Sequence, residues 1–415
     1  KDENNLKEIE KSIYKKTPDD LYLSLAWLKV DKLDTLTDLR MKLEQESARK
    51  KMLKFNSFPE MFMPNFIGKS ISFHDKENYK MDGLPVWTES MIDTYKSIKK
   101  GRETDSTEEE TKPGYILTFA HLADLADYRT GTYKIAVMKM DLDNVGILFR
   151  NLKGTDEIRE ASECLNYFFT RHIYKLLEYE MEMGGKEMPN VFRIFGNNLY
   201  IVYSGGDDCF IVGAWDAILE FAVLVRNQLK LFIKEESLSP DSHKITISAS
   251  VQLYSPHYPV YRFAEEAENN LHKAKYYEKD NKDKIWLFGE IFTWDEFSQV
   301  VKLKKNLYEL IVNRNESRAI LERIKLSGKT FAQDQQKYIE SDTIFPKTWR
   351  LNYSLSRNIK KQENREFAER FIIPEFESKL LEAYYKKKSV NAMIFPVAAR
   401  YTELLTRNHK TKYNE

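Results

Sequence analysis

Lys134–Gly146 reads KIAVMKMDLDNVG and Tyr203–Phe210 reads YSGGDDCF, and the fold turns on these two stretches. The first has the alternation and flanks of a strand over Lys134–Asp141, ending on an acidic tail. The second joins two apolar runs, Leu199–Tyr203 and Cys209–Val212, through a Ser-Gly-Gly-Asp-Asp turn, which is a hairpin signal. Between them lies a long helical pattern, Asp156–Met183, carrying Leu165, Phe168, Phe169, Ile173, Leu176 and Leu177. After the hairpin come a helix over Trp215–Ile233, a strand over Ile245–Leu253 (ITISASVQL), a helix over Phe263–Tyr277 and a short strand over Ile285–Phe288. In order this is β-α-β-β-α-β-α-β. Its first six elements match the split βαβ arrangement of ferredoxin-like folds, so the fold class is α+β.

Outward from this sheet domain, 115–293, the pattern changes on both sides. Residues 1–114 read as a partly helical, partly irregular segment. Leu21, Leu23, Leu25, Leu28, Leu33, Leu36 and Leu39 recur at near-helical spacing, while Pro59, Pro64 and Pro85 act as breakers. Gly101–Gly114 (GRETDSTEEETKPG) is polar, acidic and bounded by Pro and Gly, the composition of a linker or loop. Residues 294–415 are helical in period, including Leu303–Val312, Glu366–Phe376 and Leu380–Tyr385, and read as a C-terminal all-helical domain.

Composition excludes several classes. With 42% hydrophobic and 13% aromatic residues the 415-residue chain has material for real cores and is not a disordered polymer. A formal charge of +1 excludes a wholly basic nucleic-acid coat, but the charge is unevenly spread. From Val301 onward there are 24 Lys+Arg against 14 Asp+Glu, leaving 41 against 50 before it. Such asymmetry marks a surface suited to a polyanion. Two cysteines, Cys164 and Cys209, cannot build a disulfide framework or a four-ligand zinc site, which points to a reduced, cytoplasmic setting. Both read as packing thiols. No apolar run spans a membrane and no signal peptide is visible at KDENNLKEIE. The chain opens on Lys1 rather than Met, so a segment beyond this sequence is expected.

In a ferredoxin-like sheet the first strand and the hairpin are neighbours, so Asp141 is expected to face Asp207 and Asp208. Carboxylates brought together repel unless they are protonated or bridged by cations. Hard oxygen donors suit Mg²⁺ or Mn²⁺, and two such ions can serve a phosphoryl transfer. Gly205 and Gly206 are expected to permit positive φ and close approach to phosphates. Against this stands a plain alternative: Gly and Asp are ordinary turn residues, and GGDD alone can be a turn. Both acidic pieces at matching strand ends favour the catalytic reading. Lys275, Lys279, Lys282 and Lys284 lie near the last strand; the plain reading for each is a cation favourable to a helix end. His74-Asp75 has no second ligand pair and reads as a surface dipeptide. No P-loop, GxGxxG or Ser-His-Asp grouping is present.

The succession DLDNVG, YSGGDDCFIVGAW, ITISASVQL and AEEAENNLHKAKYYEKDNKDKIWLFG resembles the second palm domain of the large signature subunit of type III CRISPR–Cas effector complexes, especially the III-A type. That palm is related to GGDEF diguanylate cyclases. The tail, ending FPVAARYTELLTRN, is similar to the subunit's C-terminal helical domain, so the resemblance covers about 115–415. It implies an antiviral, RNA-guided nucleotidyltransferase: ATP is converted into cyclic 3′–5′ oligoadenylates when target RNA pairs with the guide CRISPR RNA, in a complex with other subunits. By motif, Asp141, Asp207 and Asp208 are the implied catalytic and metal-holding residues. Leu142, Asp143, Asn144, Ser204, Gly205, Gly206, Lys275 and Lys282 are implied to bind nucleotide. The family usually carries an HD nuclease domain, a first palm and a four-cysteine zinc site, none of which is read here.

Two other readings stand beside this one. A non-catalytic scaffold would grip RNA through Lys386-Lys387-Lys388, Arg400, Arg407 and Lys410, with a solvated helical surface as the plain alternative. A stand-alone cyclic dinucleotide synthase is the third; GGDD in place of GGDEF and the long helical tail count against it.

Overall fold

The computed structural model describes residues 26, 39, 41–47, 83–99, 111–152, 154–182, 189–236, 244–278, 281–340, 349–387 and 389–409. The chain divides into two compact units, Lys1–Lys80 and Met81–Glu415. In the first, residues 41–47 are helical. The expected helical spacing over Leu21–Leu36, the His74-Asp75 pair, residues 101–110 of the expected linker and Lys279 lie outside the described residues.

The second unit opens with α1 (Glu89–Lys99) and α2 (Phe119–Thr130). A capping box between Thr118 and His121 starts α2, and Gly131, left-handed at φ 74°, closes it. Next come β1 (Ile135–Asp143), α3 (Val145–Asn151) and α4 (Thr155–Tyr167), which runs through a π-helical turn, Phe168–His172, into α5 (Ile173–Leu176). The hairpin β2 (Leu199–Gly205) and β3 (Asp208–Ala214) leads into α6 (Trp215–Glu236). Then follow β4 (Thr246–Tyr254), α7 (Val260–Lys275), β5 (Lys284–Leu287) and β6 (Glu290–Thr293). Six strands make one sheet in the order β2-β3-β1-β4-β5-β6. β1 is antiparallel to both β3 and β4, as in the expected ferredoxin-like arrangement, and α7 carries the chain over to β5, parallel to β4.

Several expectations are corrected here. The single helix over Asp156–Met183 is interrupted by the π turn, which lets the adjacent Phe168 and Phe169 both be buried. β6 was not expected. It pairs with β5 through a two-residue loop in which Phe288 and Gly289 both take positive φ, 53° and 91°, so the strand over Ile285–Phe288 ends at Leu287. The sheet helix over Phe263–Tyr277 instead spans Val260–Lys275.

Helices fill the remainder: α8 (Trp294–Tyr308), α9 (Ala319–Glu340), α10 (Trp349–Asn358), α11 (Gln362–Phe371), α12 (Ile373–Lys386) and α13 (Ile394–Leu405). The expected helix over Glu366–Phe376 breaks between α11 and α12. Pro374 sits in the first turn of α12, where its missing N–H costs nothing. The 293/294 boundary is a change from strand to helix within this unit, capped by Thr293 and Glu296.

The strict alternation of β1 builds a core on each side of the sheet. Ala136, Met138, Met140 and Leu142 face a large core with Ile218, Phe221 and Val225 of α6, continuous with Leu303, Leu307 and Tyr401 of the C-terminal helices. Ile135 and Val137 face the other core, with Trp87, Met91 and Tyr95 around α1, Leu122 of α2 and Phe263 and Ala267 of α7. Beyond Val137 that second face turns from apolar to charged: Lys139, Asp141, Asp143.

Candidate active site

The charged end of β1 meets the hairpin as the sequence led us to expect. Asp141 is the register partner of Asp208 on β3 and of Ser248 on β4. The Leu142 N–H donates to the Asp207 carbonyl oxygen at 2.8 Å, so β1 reaches the turn itself. That turn is only Gly206-Asp207, because Gly205 and Asp208 are already paired. Gly206 takes φ +66°, which a glycine-first two-residue hairpin requires, and its N–H donates to Asn166 Oδ1 at 3.2 Å. Gly205 lies in β2 without positive φ, so of the two glycines only Gly206 meets the conformational expectation.

Lys275, the last residue of α7, reaches across to the strand end. Its ammonium donates to the Asp141 carboxylate and to the Leu142 carbonyl at 3.3 Å, and lies 3.7 Å from Asp143 Oδ1. Burial raises the pKa of Asp141; Lys275 opposes this, and the charges of Asp207 and Asp143 add to it. Asp143 is sealed from solvent. Its Oδ2 accepts from Thr246 Oγ1 at 3.0 Å, Ser248 Oγ at 2.8 Å and the Asp283 N–H at 3.0 Å.

Asp208 has a different set of neighbours. Tyr203 Oη donates to its Oδ2 at 2.7 Å, and Lys139 Nζ stands 3.9 Å from the same oxygen while pairing with Glu268 of α7. Burial and the bond to Asp208 push the Tyr203 hydroxyl up to about 12. Burial alone would lower Lys139, but Glu268 and Tyr203 raise it. Tyr203 also stacks on Phe210, with centroids 6.1 Å apart and planes 8° from parallel.

The remaining expected residues divide. Ser204 Oγ donates to the Phe169 carbonyl at 2.7 Å, and Asn144, left-handed at φ 64°, donates through Nδ2 to the Lys244 carbonyl at 2.9 Å. Leu142 is 4% exposed, and its carbonyl is engaged by Lys275. Lys282 precedes Asp283 in the chain, but no hydrogen bond or ion pair joins it to the carboxylates among the described residues. Lys139, Tyr203, Asn166, Thr246, Ser248 and Asp283 were missed. Lys139 had a signal, since period 2 places it on the face of Asp141; the others come from elements that only the tertiary fold brings near. Cys209 is buried among core residues and Cys164 packs against the core, as expected of packing thiols; burial raises both.

The donor chemistry fits a hard divalent cation. Asp141, Asp207 and Asp208 supply carboxylates on two paired strand ends and their turn. Among the described residues no three acidic, His or Cys side chains already form a metal-holding group, and Lys275 supplies the positive charge between Asp141 and Asp143.

In the basic tail, Lys386 pairs with Glu382 at 3.0 Å, Arg400 with Glu403 at 2.9 Å, and Lys387 lies over the Tyr384 ring. Lys388 and Lys410 lie outside the described residues. No described helix is long and apolar enough to cross a membrane.

The family model described as Cas10/Cmr2, second palm domain, matches residues 134–286. A CRISPR system single-strand-specific deoxyribonuclease Cas10/Csm1 (subtype III-A) of Methanocaldococcus jannaschii is 35% identical over 194 residues, which are 43% of this chain and 23% of the relative. The protein of the same description from Enterococcus italicus is 25% identical over 245 residues, 58% of this chain and 28% of the relative. The chain thus spans about a quarter of the length of the curated relatives it matches. Among solved structures, a Csm1–Csm4 cassette in complex with cA4 is similar with a TM-score of 0.61 at 18% identity, over 98% of this chain and 60% of that one. The apo cassette gives 0.59 at 17% identity, over 98% and 61%. At such identity the likeness concerns the fold.

Proposed function

On the match of residues 134–286 to the Cas10/Cmr2 second palm domain, we propose that this chain is the palm-bearing part of the large subunit of a type III-A CRISPR complex and joins ATP into cyclic 3′–5′ oligoadenylates when target RNA binds. The observation that carries the reading is the Asp141–Asp208 register pair beside the Gly206-Asp207 turn, an acidic strand end of the kind that serves phosphoryl transfer. The crystallised Csm1–Csm4 cassette with cA4 shares this fold and supports the substrate class.

The 3′-hydroxyl of one ATP attacks the α-phosphorus of another; the new O3′–P bond forms as the bond to pyrophosphate breaks, and the hydroxyl proton passes to solvent. Asp141, Asp207 and Asp208 would hold Mg²⁺ or Mn²⁺, two ions in the fullest form. The chemistry such cations supply when bound is neutralisation of phosphate charge and acidification of the 3′-hydroxyl. Lys275 contributes a fixed positive charge beside Asp141 for the triphosphate. Tyr203 and Lys139 hold Asp208 in place from the opposite side. Guide RNA, target RNA and the other subunits of the complex are the proposed partners.

The test incubates the assembled complex with labelled ATP or GTP, Mg²⁺ or Mn²⁺, and matched or absent target RNA. Cyclic oligoadenylates formed only with target are the expected result. Replacing Asp207 and Asp208 together by Ala should lower synthesis by roughly a thousandfold or more with RNA binding kept; retained synthesis would sink the assignment. A cyclic GMP dimer without RNA would point to a stand-alone synthase, and RNA binding with no product to a scaffold.

A further inference from the structure

Asp143 is unlike the other carboxylates of the site. It is 0% exposed, yet one of its two oxygens is saturated and the other has no hydrogen bond. The saturated Oδ2 collects two hydroxyls from β4, Thr246 and Ser248, and the backbone N–H of Asp283 at the entry to β5. Ser248 Oγ also accepts from the Lys284 N–H at 3.4 Å, and the Asp283 carboxylate is gripped by Arg226 of α6 through two bonds of 3.1 and 2.8 Å. The partner of Oδ1 is the Lys275 ammonium at 3.7 Å. A single carboxylate therefore ties β1, β4, the start of β5 and the end of α7.

We infer that Asp143 is a positioning residue whose buried charge fixes the Lys275 ammonium over Asp141 and the Leu142 carbonyl, and that it does not itself touch nucleotide. This replaces the role beside the nucleotide that the family resemblance implied for it, and it rests on the proposed synthase for its kinetic consequence. The physical ground is the cost of the arrangement. An ionised carboxylate taken out of water is unfavourable unless hydrogen-bonded and paired, and Asp143 has three donors on one oxygen and a single ammonium near the other. Lysine is a flexible four-carbon stem that loses much rotamer freedom when held in one place. A buried anchor of opposite charge selects one of its positions. The plain competitor is that Asp143 merely staples β1 to β4 through Thr246 and Ser248.

Lysine reactivity separates the two in the assembled complex, without nucleotide. An amine-acylating reagent read by peptide mass spectrometry should label Lys275 about fivefold faster in Asp143→Asn, with exposed lysines unchanged. Equal labelling overturns the inference. Should Asp143→Asn fail to fold, Thr246→Val with Ser248→Ala loosens the anchor while keeping its charge, and must also raise Lys275 labelling; no rise overturns it. In ATP turnover, Asp143→Asn should lower synthesis about tenfold, and the double variant with Lys275→Met should be no worse than Lys275→Met alone. Fully additive losses would assign Asp143 to stapling. If the wild-type complex makes no product, the synthase reading falls while the labelling still decides the role of Asp143.

Discussion

β1 and β3 run side by side from Ile135 and Ala214 at one end to Asp141 and Asp208 at the other, about 20 Å apart along the strands. Both ends carry charge, and they treat it in opposite ways. At the Ala214 end, Arg129 of α2 holds Asp216 of α6 through both carboxylate oxygens, one at 2.7 Å, and gives a further N–H to Asn198 Oδ1 at 2.9 Å. Asn198 spends its own N–H groups on the Phe192 and Ile194 carbonyls at 3.0 and 2.9 Å. The side chains of Arg129 and Asp216 are 1% and 9% exposed. At the Asp208 end, Asp141 and Asp208 keep 31% and 29% of their side-chain surface open. A charge cluster that is closed on itself serves the fold, and one left partly open to solvent can take a ligand.

This contrast is open to measurement. Its largest effect is at the closed end: Asp216→Ala strands the Arg129 guanidinium in the core and should lower unfolding free energy by about 3–5 kcal/mol in denaturant melts. The Asp207/Asp208 substitutions at the open end should instead cost synthesis rather than stability. Equal losses of stability at the two ends would break the comparison.

A second effect belongs to Glu220, four residues beyond Asp216 on α6. Burial pushes its carboxyl up to about 8; Lys304 opposes this and Asp216 adds to it. Its Oε2 has no hydrogen-bond partner. The folded state therefore keeps a proton that the unfolded chain, with its ordinary value near 4.5, gives up. That contribution is fully present at acid pH and is lost as pH rises through this window to about 8. Glu220→Gln should flatten the fall and be the more stable protein at pH 8, by on the order of 1–2 kcal/mol, with little gain at pH 5. An unchanged slope in paired melts at the two pH values would remove Glu220 from the closed cluster.

The smallest effect sharpens the open end. Gly206→Ala should cost about 1 kcal/mol because of its φ of +66° alone, since a Cβ there meets nothing within 4 Å. Gly205→Ala, in extended β2 with only Thr170 nearby at 3.8 Å, should stay within about 0.5 kcal/mol in the same melts.

Much of this was legible in the sequence because it is local or strictly periodic. Ile135–Met138 is an unbroken apolar run and Met138–Asp143 alternates strictly, so the strand and the point at which one of its faces becomes charged are written in a few residues. The hairpin is carried by Gly206 and its neighbours, and the neighbourhood of Asp141 and Asp208 follows from the ferredoxin-like order. Other parts were not. α2, FAHLADLADYRT, is buried on most sides and shows no clear polar stripe, so the helical period was hidden. β6 is four residues long and depends on Phe288 taking a positive φ, which an aromatic residue does not announce. The π turn at Phe168 satisfies packing rather than any local preference.

Local pattern was enough for the α+β class and, through the ferredoxin-like order of the elements, for the expectation that Asp141 meets Asp207 and Asp208, because period-2 alternation and a two-residue turn act over a few residues. Which charges are bound and which are open follows from the packing of distant elements. The Arg129–Asp216 pair is 87 residues apart in the chain and the Lys275–Asp141 pair 134. Over such separations spacing carries no information, and desolvation, which exists only once the core has closed, sorts one cluster into the fold and the other into the candidate site.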